Sequence, residues 1–369
     1  MKTIIILGNA RCYHTMDWYR AVKELHTCGD VIFVTDLINS EGHKVIISKN
    51  DKVFQLVNID RFLLKKQSRF GNLWRNGTKF LFLPLQLRAL KKVLTEFPGA
   101  IVHAHTMYYM VLAWLAGINY IGTPQGSEIL VRPHRSAFYK YFARKALASA
   151  KQVTVDSCAM AEGVAKLSGK TPFLLQNGVD LNAISASSSY NPSRNLVCSM
   201  RGLAPLYRIN EILNARNKSI KSMPLTLIYP FWNEQYKSSV IELSIPGDRF
   251  LGRVDRDQMY KLFRSSFLAI SIPSSDSSPR SVYEAIFCGC CVAVVYNRWI
   301  EMLPLCMKNR LFIVDLKDSH WFEKAVNFGA SRKGSDYIPS PEALEDFDQY
   351  KSSKKLMENI YGLTEFLKS

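Results

Sequence analysis

The chain has 369 residues, which is long for a single hydrophobic core and predicts two domains. Its hydrophobic content of 47% and charged content of 21% are typical of a soluble globular protein. The formal net charge of +17 predicts an anionic partner: nucleic acid, a membrane surface or a phosphorylated substrate. The longest uncharged stretch, residues 106–127, is interrupted by Gly117, Asn119 and Gly122, which excludes a membrane span and leaves only peripheral membrane contact.

The eight cysteines are mostly scattered within apolar runs. Only Cys288 and Cys291 have C-x-x-C spacing, and no second pair or histidine cluster accompanies them. We therefore expect a buried turn there rather than a metal site, and a reduced, cytosolic protein. The apolar run near the N-terminus is too short for the core of a signal peptide.

The first half alternates short apolar strands with helices. A β-branched run at residues 3–7 ends at Gly8, and the next apolar pattern predicts a helix with Asp17 as its N-cap and Gly29 at its end. Further strands are predicted at residues 30–36, 100–105, 120–126, 152–157 and 172–178. Short, continuously apolar strands of this kind are typical of a parallel sheet covered by helices.

A serine-rich stretch around residues 185–194 predicts a linker, and a second alternation follows it. Its strands are predicted at residues 195–200, 225–230, 248–254, 267–273, 291–296 and 311–316. The chain therefore reads as α/β, with two Rossmann-like domains in tandem. Because ligands bind beyond the carboxyl ends of parallel strands, we expect the two domains to face each other across a deep cleft.

Two carboxylates follow the fourth predicted strand of the second half, within SSDSSPRSVYEAIFCGC. Asp276 lies on the loop and Glu284 lies about one turn inside the next helix. A helix start binds phosphate through its unpaired N–H groups, and a carboxylate accepts two hydroxyl hydrogen bonds, which suits sugar diols. The alternative is that Asp276 and Ser277 only cap the helix and that Glu284 is a solvated surface residue.

Other segments, taken in order, resemble the retaining family-four glycosyltransferases, which have the GT-B fold. The stretch that contains Asp276 and Glu284 resembles their E-x7-E region, with Asp in place of the first Glu. The other matching segments are IVHAHTMYYMVLAWLAG, GTPQGSE, QNGVD, SMRGLAPLYRINEILNA and FLGRVDRDQMYKLFRSS. The resemblance runs from Met1 to about residue 300.

The resemblance implies roles for individual residues. His105 would lie beside the reacting sugar, with His103 as its rival, and Asp276 would contact the sugar hydroxyls. The residues implied to bind the donor are Gly8 in the first turn, Arg201 and Arg208 at the diphosphate, the N–H groups of Arg280, Ser281 and Val282, and Glu284 at the ribose. The residues implied on the acceptor side are Asn9, His14 and Glu128.

The resemblance also implies an organisation and a reaction. An acceptor domain would cover residues 1–184, a donor domain residues 185–345, and a C-terminal helix over residues 346–369 would pack back toward the first domain. A sugar would pass from a UDP- or GDP-sugar to a lipid-linked or glycan acceptor with retention, without cofactor or metal ion, in synthesis of capsule, O-antigen or similar surface polysaccharide. The alternatives are a nucleotide-sugar epimerase and a non-catalytic binding protein, the latter because SSPRS replaces the usual glycines between the acids.

Basic residues are concentrated in the first half. Between Arg61 and Lys92 lie nine Lys or Arg and no Asp or Glu, interleaved with five aromatic residues. The second basic cluster consists of Arg132, Arg135, Lys140, Arg144 and Lys145. This pattern suits an anionic bilayer and predicts a cytoplasmic protein held peripherally at the inner face of the membrane. The alternatives are a solvated face and nucleic-acid binding, for which no motif is present.

Overall fold

The computed structural model describes residues 2–38, 46–59, 77–187, 193–220 and 222–363. The chain forms two compact units: unit 1 comprises residues 1–177 and 350–369, and unit 2 comprises residues 178–349. In the part of the chain that is described, no helix combines the length and the apolar character needed to cross a bilayer.

Unit 1 is built on a parallel sheet of seven strands in the order β3-β2-β1-β4-β5-β6-β7. The strands are β1 (Ile4–Leu7), β2 (Val31–Thr35), β3 (Val53–Gln55), β4 (Ile101–His105), β5 (Ile121–Thr123), β6 (Gln152–Val155) and β7 (Phe173–Leu174). The central strands β1 and β2 are buried along their whole length because helices cover both faces of the sheet. The half-exposed edge strand β3 was not predicted, since its three residues carry no apolar run.

The helices of this part of unit 1 are α1 (Tyr13–Leu25), α2 (Leu83–Glu96), α3 (Met107–Leu115), α4 (Gly126–Leu130), α5 (Arg132–Arg135), α6 (Ala137–Ser149) and α7 (Cys158–Ser168). The predicted bounds of α1 were wrong. The helix begins after Cys12, whose carbonyl accepts from the N–H of Met16, so Asp17 is a buried residue inside the helix rather than its N-cap. It ends at Leu25, ahead of Gly29.

Unit 2 is built on a parallel sheet of six strands in the order β10-β9-β8-β11-β12-β13. These are β8 (Leu196–Ser199), β9 (Leu225–Ile228), β10 (Arg249–Gly252), β11 (Ser266–Ser271), β12 (Cys291–Val295) and β13 (Leu311–Val314). All six overlap the predicted runs. The α/β prediction with two Rossmann-like sheets is therefore confirmed.

The helices of unit 2 are α8 (Leu181–Ala186), α9 (Ile209–Lys218), α10 (Glu234–Glu242), α11 (Arg256–Ser265), α12 (Arg280–Phe287), α13 (Leu305–Lys308), α14 (Trp321–Ser331) and α15 (Pro341–Phe347). Cys288 and Cys291 follow α12 and are buried in the core, on either side of Gly289 with its positive φ of 84°. The C-x-x-C spacing thus belongs to a buried turn, as predicted.

The chain crosses between the units twice, and unit 2 begins at Gly178 rather than near residue 185. The N–H of Val179 donates to the carbonyl of Phe347 (2.7 Å), and the N–H of Gln349 donates back to the carbonyl of Val179 (2.9 Å). These bonds tie the start of unit 2 to its end. Since α8 packs in the same core as Val179 and Phe347, residues 178–184 belong to the second unit.

The chain returns to unit 1 through α16 (Gln349–Lys355), which continues into a π-helical turn over Leu356–Ile360. Leu356, Met357 and Tyr361 are buried, and they join the core that α1 and β1 form. The C-terminal segment is therefore an integral part of unit 1.

Candidate functional site

Most of the predicted site residues lie at the two places where a strand order reverses. The order turns between β1 and β4 in unit 1, and between β8 and β11 in unit 2. Open parallel sheets bind ligands beyond the carboxyl ends of the strands at such switch points. Gly8 follows β1 and His105 ends β4, whereas Arg201 lies two residues after β8 and Asp276 lies on the loop after β11.

In unit 2, Arg201 and Asp276 bind each other directly. The Nη2 of Arg201 donates to Oδ2 of Asp276 (2.7 Å), and its Nε donates to Oγ of Ser271, the last residue of β11 (2.7 Å). Both charged side chains are largely buried, with 13% and 19% exposure. These bonds use two of the five guanidinium N–H groups, and no described residue binds the other three. Those three N–H groups can serve an anionic ligand.

Glu284 lies close to the same helix start but in a different environment. It is 4% exposed, which contradicts the alternative of a solvated surface residue. Its Oε1 accepts from the hydroxyl of Tyr260 (3.3 Å) and lies 3.3 Å from Nε of Arg280. Burial, followed by the charge of Glu284, raises the pKa of Tyr260, so its hydroxyl stays protonated and donates. A carboxylate so buried is costly unless it is bound, and Tyr260 and Arg280 provide those partners.

The first turn of α12 offers fewer N–H groups than expected. The N–H of Arg280 donates to the carbonyl of Ser278 (3.0 Å), and that of Val282 donates to the carbonyl of Pro279 (2.8 Å). The prediction of three free N–H groups is therefore wrong at Arg280 and Val282, because a tight turn at Pro279 uses both. Only Ser281 keeps its N–H without an acceptor among the described residues.

Arg208 occupies a special backbone position beside this site. Its φ of 54° places it in the left-handed region, where a non-glycine residue is uncommon, and it caps the start of α9. The carbonyl of Leu206, two residues earlier, accepts from the N–H of Ser274 (2.9 Å) on the loop that carries Asp276. The Nε of Arg208 lies 3.5 Å from Glu211, and no described contact joins Arg208 to Arg201 or Asp276.

In unit 1 the structure separates the two candidate histidines. His103 is fully buried, with Nδ1 bonded to the hydroxyl of Tyr361 (2.6 Å) and Nε2 bonded to Oγ1 of Thr123 (2.7 Å). His105 is 3% exposed, and its Nε2 is buried without a hydrogen-bond partner among the described residues. Burial, followed by the charge of His14, lowers the pKa of His105 to about 3, so the ring is neutral. His105 is thus the histidine with bonding capacity left for a ligand.

Gly8 is needed at its position for packing. A Cβ there would lie 2.4 Å from Cγ2 of Thr15 and 3.3 Å from Cβ of His105. The turn after β1 can therefore approach β4 and α1 only without a side chain. The ring of Trp18, on α1, lies 5.1 Å from that of His105 in a T-shaped contact.

The three residues predicted on the acceptor side have different environments. Oε2 of Glu128 accepts from the N–H of Met107 (2.8 Å) and of Gln125 (3.0 Å), and the carboxylate is 4% exposed. It thereby caps the start of α4, although Gln125 lacks the Ser or Thr of the usual capping-box signature. Asn9 accepts from the N–H of Arg11 in the turn after β1, and His14 is exposed on α1.

Similarity to known proteins is found in the sequence of unit 1 and in the fold of the whole chain. The model of the family described as "Glycosyl transferase 4-like" matches residues 3–157, which lie within unit 1. No curated protein matches the sequence significantly. HepE of Anabaena, solved with UDP and glucose, is 14% identical, with a TM-score of 0.72 over 98% of this chain and 100% of HepE. The chain has the GT-B fold.

Two further solved structures support this assignment of the fold. Sucrose-phosphate synthase from Thermosynechococcus elongatus is 12% identical, with a TM-score of 0.71 over 98% of both chains. The lipopolysaccharide outer core galactosyltransferase WaaB is 13% identical, with a TM-score of 0.65 over 98% of this chain and 99% of its own. The predicted GT-B fold is confirmed, and the fold is glycosyltransferase-like.

Proposed function

We propose that the protein is a retaining glycosyltransferase that moves a sugar from a UDP- or GDP-sugar to a lipid-linked or glycan acceptor in synthesis of a cell-surface polysaccharide. The observation that carries the proposal is the Arg201–Asp276 pair at the β8/β11 switch point, with Glu284 buried nearby. The fold shared with HepE, whose structure contains UDP and glucose, supports it.

The site in unit 2 would bind the donor. The free N–H groups of Arg201 would pair with the diphosphate and stabilise the charge that develops as the nucleoside diphosphate departs. Its bond to Asp276 would orient that carboxylate, which could then accept hydroxyl groups of the sugar. Glu284 would accept from the ribose, and the N–H of Ser281 would donate to phosphate. Arginine side chains and N–H dipoles would then meet the phosphate charge without a metal ion or other cofactor.

The site in unit 1 would bind a reacting hydroxyl. His105 is neutral, and its unpartnered Nε2 can exchange a hydrogen bond with the sugar or the acceptor. A neutral ring can be donor or acceptor but carries no charge, so we propose an orienting role for it. The acid–base work would then fall to the departing phosphate, as the family resemblance implies.

A mass-spectrometric screen of nucleotide-sugar turnover, with lipid-diphosphate acceptors present, tests the proposal. Asp276→Asn is expected to reduce transfer by about 100-fold or more, because transition-state contacts to the sugar weaken. Asp318→Asn, which removes a carboxylate that is 26% exposed and binds Lys324 elsewhere in unit 2, is the matched control. Failure to bind or consume any nucleotide sugar would reject the proposal. Isomerised donor formed without acceptor would identify an epimerase, and binding without turnover would identify a binding protein.

We also propose that unit 1 docks on the inner, anionic face of the cytoplasmic membrane. The described part of the predicted basic region carries an apolar patch, which we define as Phe80, Leu81, Phe138 and Tyr141, each more than half exposed. The rings of Phe80 and Phe138 lie 6.4 Å apart, so one surface joins the two basic clusters. Exposed Arg88, Lys91, Lys92, Arg135, Lys140, Arg144 and Lys145 lie on the same helices or next to them. The residues predicted at 60–76 lie outside the described part of the chain.

Vesicle flotation tests the docking surface. The protein is expected to float with vesicles that contain phosphatidylglycerol and to stay behind with pure phosphatidylcholine, because each basic residue near anionic lipid contributes about 1 kcal/mol. Phe138→Ser should weaken flotation, whereas Ile338→Ser, which removes an apolar side chain that is 80% exposed in unit 2, should not. Equal flotation on both vesicles, or retention by RNA but not by vesicles, would contradict the membrane proposal.

A further inference from the structure

Two histidines on one face of β4 are in direct ring contact. Side chains two residues apart on a strand point the same way, and the ring centroids of His103 and His105 lie 4.3 Å apart. Burial, followed by the charge of His105, lowers the pKa of His103 well below its usual value, and His105 is neutral as well. Both rings are therefore uncharged in the folded protein.

The orientation of His103 is fixed by hydrogen bonds from two distant parts of unit 1. The hydroxyl of Tyr361 binds Nδ1 and has no other partner among the described residues. Burial raises the pKa of Tyr361, so its hydroxyl keeps its proton, and Nδ1 of His103 is the acceptor available to it among the described residues. Nε2 must then carry the ring proton and donate to Thr123, which is itself bonded to Oγ1 of Thr154. One tautomer and one ring angle satisfy every bond.

Among the residues that the structure describes, none forms such a bond to Nε2 of His105, and the ring is held by its neighbours instead. The ring of His103 lies against it on one side and the ring of Trp18 lies 5.1 Å away in a T-shaped contact. Trp18 is fixed in turn, because its Nε1 donates to Oδ1 of Asn177 (2.8 Å). The angle at which His105 presents its ring therefore depends on the two rings beside it.

We propose that Tyr361 is a positioning residue, which orients the candidate catalytic His105 through His103. This inference rests on the proposed function for the role of His105 and on the contacts above for the link. The segment that brings Tyr361 to β4 is held by the burial of Leu356 and Met357 in the core of unit 1. The last described turn of the chain thereby becomes part of the catalytic apparatus, 258 residues after His103.

The decisive variant is Tyr361→Phe, which removes one hydroxyl and keeps the buried ring. Tyr120→Phe is the matched control, because Tyr120 is also buried in unit 1 and its hydroxyl donates to a carbonyl, that of Ala146. On the opposite side of His103, Thr123→Val removes the hydrogen bond to Nε2. Thr123→Ser retains a hydroxyl and should keep that bond.

Histidine spectra of the whole protein labelled with ¹⁵N provide a readout that needs no activity. The parent is expected to show His103 as the Nε2–H tautomer. In Tyr361→Phe and Thr123→Val the signals of both His103 and His105 should shift or broaden, and in Tyr120→Phe and Thr123→Ser they should not. The spectrum of His105→Gln assigns the second set of signals. If only the signals of His103 move in Tyr361→Phe, the link between the rings is refuted.

Kinetics with an identified donor supply the second readout. Tyr361→Phe is expected to lower kcat about tenfold, as is usual for a group that orients a catalytic residue without touching the substrate. KM for the donor should not change. An unchanged kcat despite altered His105 signals would overturn the positioning role. If the protein transfers no sugar at all, the proposed function fails, and the spectra alone decide whether Tyr361 orients His105.

Discussion

Replacing Arg201 by lysine tests the donor site most directly, because the charge stays and the geometry changes. The planar guanidinium binds Ser271 and Asp276 and leaves three N–H groups, enough for a paired contact to a diphosphate. Lysine has three N–H donors in all, one fewer than Ser271, Asp276 and two phosphate oxygens require together. One charge-assisted hydrogen bond to the ligand should be lost, at about 1.5–3 kcal/mol, which predicts diphosphate binding about 10- to 150-fold weaker.

Isothermal titration of UDP, GDP and the matching nucleosides measures this effect. Since the nucleosides lack the diphosphate, Arg201→Lys should leave their affinity within about twofold of the parent while the diphosphate loses its advantage. Arg332→Lys makes the same chemical change in unit 2 on a residue whose guanidinium lies over the ring of Phe328, and it should affect neither ligand. If Arg201→Lys binds UDP and GDP as tightly as the parent, or weakens nucleoside and diphosphate equally, the assignment of Arg201 to the diphosphate is incorrect.

Three further predictions concern stability. Asp248→Asn leaves the buried guanidinium of Arg216 without its carboxylate. Urea denaturation should show that the free energy of unfolding falls by about 3–5 kcal/mol. Burial alone would raise the pKa of Asp248, but the hydrogen bonds that it accepts lower the pKa below its usual value. The difference in stability between the parent and Asp248→Asn should therefore persist at neutral pH and shrink only below about pH 4. A stability difference that does not change with pH would contradict this reasoning. Gly178→Ala should lower the free energy of unfolding in two ways. The φ of +66° should account for about 1–2 kcal/mol. The new Cβ would lie 2.4 Å from the backbone of Gln349, and this clash should account for about 1–3 kcal/mol more. Gly99→Ala is the control, because Gly99 has a similar φ of +76° and open space around it, so only the backbone contribution should be lost. If thermal denaturation shows the same loss of stability for both variants, the clash at Gly178 is refuted. His105 has a pKa of about 3 when folded, so only the unfolded chain binds its proton near pH 6, and stability should fall by about 2 kcal/mol between pH 7 and 5. Denaturation of His105→Gln at both pH values should show a smaller fall, and an equal fall would rule out this group as the cause.

The sequence determined the elements and the order in which they occur. Short β-branched runs such as residues 3–7 and 267–273 are typical of strands in a parallel sheet covered by helices, and the alternation with helical periods repeats on both sides of the linker. The same local pattern placed Asp276 and Glu284 after a strand and inside a helix, where the structure has them. The predicted start of α1 was wrong because it relied on the capping preference of Asp17. Asp17 is instead buried inside the helix, and its burial depends on what packs against the helix.

Only the tertiary structure decided which of these residues interact. Arg201 and Asp276 are 75 residues apart in the sequence. They meet because β8 and β11 are neighbours in the sheet, although two other strands lie between them in the sequence. His103 and His105 have the same orientation on β4, and they differ because Tyr361 and Thr123 bind the ring of His103, whereas Nε2 of His105 has no hydrogen-bond partner among the described residues. Periodicity along the chain encodes the face on which a side chain lies. Hydrogen-bond partners are fixed by sheet order and by burial, which bring together residues that share no local pattern.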